Sequence, residues 1–538
     1  MNRIRLVLIA ITVLITASAS AQSVYSVNSP FNSIRQNGVS NIAALGDTVW
    51  ISPSLNRNIG NQLDWYFPAN AVKVIEDVGR VFSLALSKDT VVAGLGYSSE
   101  ILDGTVPASF GYYFSDDGGD NWRYSDFLID PKASDDCKTS VAGCDTTFVY
   151  GGETYDRIRI TVPEQSPPYD IDFKGNVVFS ANWASGLLRS TDFGATWERV
   201  ILPPVSVREL TPNGNNYYWA SCIEGDSQTN SCIESINLYD SVDDNNLKGF
   251  GVEIDSQNRV WYGSANGINV SDDAISSPTD SISWKHVNFD DSDDGLLSNW
   301  IIEIEEDPAT NKVWMTNWIS NAQAGEKFGI VSTADNGETF EQHLIGEKIN
   351  SIGFKDGAVI AAGPNGLFIS TNDGQSWSQF PQIKSANTFF KKSVEFLSVA
   401  STTDRIWIGT DDGLASSDDL GQTWEITRVD FPLSGGNIHD PEAKSVKTYA
   451  YPNPFSPVAH EFVRIKYELK KQGNVRIRVF DFGMNLVREV ENDNFSPGTY
   501  EAIWDGVDAY GRQAANGTYI YTVEMPNQTV NGKILLIE

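Results

Sequence analysis

Short apolar runs separated by polar turns recur along most of the chain. VFSLALSKDTVVAGLG, YDIDFKGNVVFSAN, GVEIDSQNRVWYGS, IEIEEDPATNKVWMTN, NSIGFKDGAVIAAG and EFLSVASTTDRIWIGT share one pattern: apolar run, turn, apolar run. The turns, such as KDG, SQN and PATN, are rich in residues that tolerate positive φ. β-Branched and aromatic residues crowd the runs, which favours strands over helices. A third run follows in GYYFS, GLLRS, GLFIS and GLASS. An eight-residue pattern, S/T-x-D-x-G-x-T-W, then closes the unit, and its aromatic residue opens a fourth strand, as in TWERVIL and TWEITRV. Four antiparallel strands in about 40–50 residues predict a propeller blade. NIAALGDTVWISP, near the start, reads as one more unit without the closing pattern. Seven units result, at about 38–70, 81–128, 153–202, 246–290, 298–345, 348–381 and 393–430, and seven blades can close a ring. SVYSVNS (Ser23 to Ser29) is expected to add a strand to the last blade.

The closing pattern ends at Trp122, Trp197, Phe340, Trp377 and Trp424, and in a stretched form at Trp284. Its other key positions are Asp117 and Gly119, Asp192 and Gly194, Asp335 and Gly337, Asn372 and Gly374, Asp419 and Gly421. On a tight hairpin between third and fourth strands, the glycine takes positive φ. The carboxylate and the hydroxyls accept hydrogen bonds from turn amides, and the indole is buried where blades meet. Six separated copies cannot all serve one catalytic site, so the pattern is architectural. These residues resemble the Asp box, or BNR repeat, of sialidase-like propellers, which implies a structural role away from the active face. DGLLSNWIIEIEEDPATNKVWMTN (Asp294 to Asn317) and RIWIGTDDGL (Arg405 to Leu414) resemble the blade repeat of two-component-regulator sensor propellers, where the propeller senses a periplasmic ligand. No kinase or DNA-binding module accompanies it here, so the sensor role does not carry over directly.

After Phe431 the pattern changes. PLSGGNIHDPEAKS reads as a linker, and short strands follow. In VRIRV, Val475, Ile477 and Val479 alternate with Arg476 and Arg478, as a half-buried strand should. Short strands of this kind predict a β-sandwich. YPNPF, WDGVDAYGR, NGTYIYTVE and the final KILLIE resemble the FlgD-type Ig-like domain and the type IX secretion C-terminal sorting domain. The resemblance implies an address read by the outer-membrane export machinery, with cleavage or attachment to surface lipopolysaccharide. Phe482-Gly483-Met484 departs from the Leu-Gly-Arg frequent in that family.

Charge and composition narrow the function. Arg3 and Arg5, the apolar run LVLIAITVLI and the small residues Ala19 and Ala21 read as a signal peptide over residues 1–21. No later run is long enough to span a bilayer. A net charge of −31 repels nucleic acid and anionic lipid. The four cysteines, Cys137, Cys144, Cys222 and Cys232, suggest disulfides in an exported chain; three pairings are open, and the near-neighbour one is favoured because each pair shares a short polar loop. DDSDDG (Asp290 to Gly295) fails as an EF-hand, because Ile301 stands where the bidentate Glu belongs. There is no HExxH, GxSxG or phosphate-binding glycine loop, so catalysis is disfavoured and no catalytic residue, metal or cofactor is assigned. The long insertions fall on the face opposite the repeated turns, where binding is expected. Asn182-Trp183 and Asn317-Trp318 begin two loops there and are the candidate ligand contacts. The expected protein is all-β: signal peptide 1–21, seven-bladed Asp-box propeller 22–431, linker 432–446 and FlgD-like sorting domain 447–538. It is exported through the periplasm to the cell surface or medium. Its partners are the export machinery and a glycan or protein ligand, with no nucleic acid and no membrane span. A glycoside hydrolase and a structural adhesion protein are the alternatives.

Overall fold

The structure, a computed structural model, describes residues 33–60, 65–66, 80–101, 104–128, 147–150, 153–156, 163–200, 202, 222–224, 232–234, 245–246, 248–279, 281–320, 323–386, 388–430, 433 and 446–538. Seven four-stranded antiparallel sheets follow one another, each strand pairing with the next in sequence. Their first strands are Asn41–Leu45, Arg80–Ser87, Pro168–Lys174, Gly249–Ile254, Trp300–Glu306, Ser351–Lys355 and Phe396–Ser401. Each first strand neighbours the next, and the seventh neighbours the first, so the sheets close a ring around an axial channel. The fold is a seven-bladed propeller followed by an Ig-like sandwich.

Second strands such as Val177–Asn182, Ala358–Gly363 and Ile406–Thr410 lie between two neighbouring blades and are buried almost throughout. Burial on both faces explains why they read as continuous apolar runs rather than alternating ones. Each described blade is one contiguous segment. The ring is joined at its seam by packing and a few hydrogen bonds: Val39 N donates to Thr410 O at 2.8 Å, and Val429 N to Asn37 Oδ1 at 2.8 Å. Trp65 of the first blade meets Trp407 of the seventh edge to face, with centroids 5.9 Å apart. The strand expected from Ser23 to Ser29, the signal peptide and most of the linker lie outside the described residues. The third blade begins at Pro168, not at 153; Glu153–Asp156 pairs only with Thr147–Tyr150, in a separate hairpin.

Five of the seven first strands carry a register shift near their start, between Val81 and Ser83, Pro168 and Asp170, Gly249 and Gly251, Ile301 and Ile304, and Phe396 and Ser398. A bulge re-aims the extra side chain. Here Phe82, Tyr169, Ile302 and Leu397 line the channel.

The C-terminal module has two sheets. Thr448–Tyr451, Val463–Leu469 and Gly498–Trp504 form one; Leu486–Phe495, Gly473–Phe480, Gly517–Met525 and Gln528–Leu536 form the other. Val475, Ile477 and Val479 pack between them with Ile465, Trp504 and Ile534. The module docks on the seventh blade through a buried four-charge cluster. Asp412 pairs with Arg464 at 2.8 Å and Arg428 at 3.1 Å, and Glu501 lies 3.7 Å from each arginine. Glu461 accepts from Ser393 N at 2.7 Å and Lys392 N at 3.1 Å.

Candidate functional site

The repeated turns lie at the ends of the third strands and use one hydrogen-bond scheme. In the seventh blade Ser417 Oγ donates to Asp419 Oδ1 at 2.8 Å and accepts from Gly421 N at 2.8 Å, while Thr423 N donates to Asp419 Oδ1 at 2.8 Å. Asp117, Asp192 and Asp335 accept from a preceding hydroxyl and from the amide four residues on, as does Asn372. In the fourth blade the longer turn brings Ser283 N to Asp273 Oδ1 at 2.9 Å, so six added residues preserve the bond. The amide and hydroxyl of Thr423 hold Asp419 below the usual carboxylate range. Gly194 has φ 76°, and a Cβ there would stand 2.1 Å from Phe114 of the previous blade. Gly119, Gly374 and Gly421 likewise face Trp50, Trp314 and Phe380, while Gly337 stands slightly farther from Trp261. The aromatic residues that end the turns pack against the preceding blade: Trp197 stacks on Tyr112 at 4.3 Å, Trp122 meets Trp50 at 5.5 Å, and Trp424 meets Phe380 at 5.7 Å. Phe340 packs beside Trp261, and Trp377 against the cluster holding Trp314.

The opposite face carries the channel mouth, because first strands begin there and second strands end there. Asn182 and Asn317 are wholly buried. The Asn182 amide donates to Ser180 O at 2.9 Å, and Asn317 Oδ1 accepts from Leu297 N at 2.8 Å, so both hold backbone. Trp318 donates from Nε1 to Ile349 O at 2.6 Å, beneath Lys348 at 3.6 Å. Trp183 lies 4.9 Å from Phe250 and 5.7 Å from Trp300, with Lys248 over its ring at 5.5 Å. Phe250 in turn lies 5.4 Å from Trp300 and 6.2 Å from Tyr169, and Tyr169 lies 6.3 Å from Phe82. Four consecutive blades thus contribute one aromatic arc, half-buried and continuous with the channel lining. Phe82, Tyr169, Phe250 and Trp300 were not among the expected contacts. The signal of the first three was visible: VFSLAL, PYDIDF and GFGVEI each place a large apolar residue one step before regular alternation begins. Cys222–Glu224 pairs with Cys232–Glu234 as a short hairpin; only that backbone pairing is described, and Cys137 and Cys144 lie outside the described residues.

Below the arc the channel holds about 850 Å³ and is lined by carboxylates. Asp170 Oδ2 accepts from Val252 N at 2.9 Å, Asp172 Oδ2 from Ile254 N at 2.6 Å, and Glu303 Oε2 from Ile352 N at 2.6 Å. Each is a rung from one blade to the next, satisfying backbone amides that face across the gap between blades. Glu253 and Glu305 also face the cavity, but neither makes a hydrogen bond or ion pair among the described residues. Burial pushes Asp170 up to about 7 despite its two backbone amides, and burial likewise raises Asp172 and Glu303. Glu253 and Glu305 are driven well above the usual range by burial and then by neighbouring acids, Asp172 and Glu305 first for Glu253 and Glu303 first for Glu305. Among the described residues Arg80 is the one basic residue lining this cavity, and it stacks on Phe82 at 4.7 Å. Among the described residues no three acidic, histidine or cysteine groups converge to hold a metal ion. No described helix is long and apolar enough to cross a membrane.

Residues 461–529 match the family model of the FlgD Ig-like domain. A search of curated proteins finds no match. Solved structures with a similar chain course include PorZ, described as an essential bacterial surface component of the type IX secretion system of Porphyromonas gingivalis: 12% identity, 93% of this chain and 81% of that chain covered, TM-score 0.33. A GH74 enzyme from Niastella koreensis shares 13% identity over 94% of this chain and 74% of its own, with a TM-score of 0.45. YCF48 from Cyanidioschyzon merolae shares 14% identity over 70% of this chain and 94% of its own, with a TM-score of 0.38.

Proposed function

We propose that this is an exported, surface or secreted propeller that binds a ligand at the channel mouth, with its C-terminal module serving as the address for type IX export. The observation that carries the reading is the arc of Phe82, Tyr169, Phe250, Trp300 and Trp183. Rigid strands from four blades hold large rings half-open to solvent, and such clusters mark binding surfaces more than cores. The uniform bonding of the repeated turns supports their Asp-box reading and leaves them on the far face. The docked module supports a single secreted body: the buried Arg464–Asp412 pair ties the address to the blade beside the mouth.

The test is a glycan and peptide array probed with the mature protein and with the Phe250→Ala/Trp300→Ala double variant. Loss of a specific signal, with the melting temperature kept within a few degrees, is expected. A signal untouched by the double variant overturns the reading. Sugar release from a polysaccharide, abolished by one channel carboxylate substitution, would instead make the protein a hydrolase.

A further inference from the structure

Six of the seven junctions between blades are crossed by the chain itself; the seam between the seventh blade and the first is not. Among the described residues each blade is one contiguous segment, so no strand is shared across that seam either. At the mouth the seam is bridged by Val39 N, which donates to Thr410 O at 2.8 Å, and by Val429 N, which donates to Asn37 Oδ1 at 2.8 Å. The seventh-blade half of each bond is tied to the C-terminal module. Thr410 is wholly buried, and its hydroxyl accepts from Asp412 N at 3.0 Å and donates to Gly413 O at 2.7 Å. One residue thus carries the seam bond on its carbonyl and the Asp412 turn on its side chain, and Asp412 holds Arg464 of the module at 2.8 Å. Val429 stands between two residues that the module holds. Arg428 lies 3.7 Å from Glu501, while Asp430 pairs with Lys466 at 2.8 Å and accepts from Tyr449 Oη at 3.0 Å.

The joint is built to release. Taken off the blade, the module strands no charge: Asp412 keeps Arg428 at 3.1 Å, and Glu501 keeps Arg464 at 3.7 Å. Parting two bodies that each retain an ion pair costs far less than leaving one charge alone in the interior. The seam also borders the channel. Gln36, Gly38 and Ser40 on the first-blade side and Asp411 on the seventh-blade side line the cavity, so a parted seam opens the channel sideways. We infer that the C-terminal module is the latch of the ring: docked, it holds the seventh blade against the first at the mouth; released, it lets the two part. Docking and seam closure are then linked, and each shifts the equilibrium of the other by the same factor. The latch does not depend on what the aromatic arc binds.

Hydrogen exchange on the mature protein tests this. Lys392 and Ser393 donate their amides to Glu461 of the module and report docking. Val39 and Val429 report the seam. Val252 and Ile254, whose amides cross from the fourth blade to the third, are the reference. Phe462→Asp/Arg464→Ala strips the docked face: Phe462 packs on Phe389 at 5.7 Å and is not part of the sandwich core. Exchange is expected to rise about tenfold or more at Lys392 and Ser393 and, together with them, at Val39 and Val429, with Val252 and Ile254 unchanged. Arg464→Glu, which sets a carboxylate against Asp412, should do the same. From the other side, Asn37→Ala removes the acceptor of Val429 N and should speed exchange at Lys392 and Ser393 severalfold. A module that comes off while the seam keeps its protection overturns the inference. Equal loosening of seam and reference overturns it too, because the module would then add stability without acting on the seam. So does a seam loosened by Asn37→Ala with docking unchanged, and so does a module that neither module variant releases.

Discussion

The two faces of the propeller use the same chemical group in opposite ways. On the turn face, Asp117, Asp192, Asp335 and Asp419 are largely exposed, fully hydrogen-bonded and held below the usual carboxylate range. In the channel, Asp170, Asp172, Glu253, Glu303 and Glu305 are partly buried and raised, and Glu253 and Glu305 make no hydrogen bond or ion pair among the described residues. The first set repeats blade by blade because every blade must turn the same corner. The second does not repeat, because it belongs to one shared space. Asp412 is the control within the molecule: burial alone would raise it, yet Arg428 and Arg464 bring it down. Two arginines outweigh burial at Asp412, whereas the backbone amides on Asp170, Asp172 and Glu303 do not.

The largest effect should come from removing that control. Asp412→Ala leaves Arg428 and Arg464 buried without their shared anion and should cost about 3–5 kcal/mol. Hydrogen exchange would show it as lost protection across Thr448–Tyr451 and Val463–Leu469. Undiminished protection would mean the module is held by its aromatic contacts, such as Phe389 with Phe462, instead. Next comes Gly194→Val, which combines a left-handed backbone with a clash against Phe114. About 2–4 kcal/mol of destabilisation is expected from strain and overpacking, read from the urea midpoint.

The architecture was legible because it repeats. Six copies of one turn, each with a hydroxyl, an acid or amide and, in five, a glycine, gave six of the seven blades and the far face, and NIAALGDTVWISP gave the other blade. Val475, Ile477 and Val479 alternated as the sandwich strand they form. The mouth was harder to read. Trp183 was singled out for its neighbour Asn182, but that amide is buried against backbone, and the ring's companions are Phe250 and Trp300 from other blades. A bulge shifts one side chain by one position, which sequence periodicity registers only as a missed beat. The channel acids were hidden for another reason. In a chain with 70 acidic residues, Glu253 and Glu305 differ from surface glutamates only in what the ring closure brings around them.

Single carboxylate substitutions separate the two faces further. Asp192→Ala removes an acceptor from Thr196 N and Thr196 Oγ1 and should cost about 1–2 kcal/mol. Glu305→Gln, by contrast, keeps the shape and removes an unpartnered charge, so at pH 8 it should leave the urea midpoint unchanged or raise it. If Glu305→Gln destabilises as much as Asp192→Ala, the channel acid has a partner and the contrast fails.

The smallest effect is the pH profile, and it tests both sets at once. A turn acid has a lower pKa folded than unfolded: hydrogen bonds from Thr339 outweigh burial and bring Asp335 down to about 2. Its stabilisation is present above the ordinary value near 4 and is lost as pH falls toward about 2. A channel acid has the reverse sign. Burial lifts Asp170 to about 7, so the folded state holds a proton that the unfolded chain has released, and stability falls as pH rises from about 4 to about 7, then levels. Stability should therefore peak in mildly acidic solution. The decline toward neutral pH should be modest, about 1 kcal/mol or a few degrees in Tm, because water in the channel screens the charges. Asp170→Asn should make that neutral limb shallower and leave the acid limb in place, with Asp172 and Glu303 keeping part of it. A profile that stays flat from pH 4 to 7 in the unsubstituted protein would mean the channel acids are already ionised and neutralised in the empty protein.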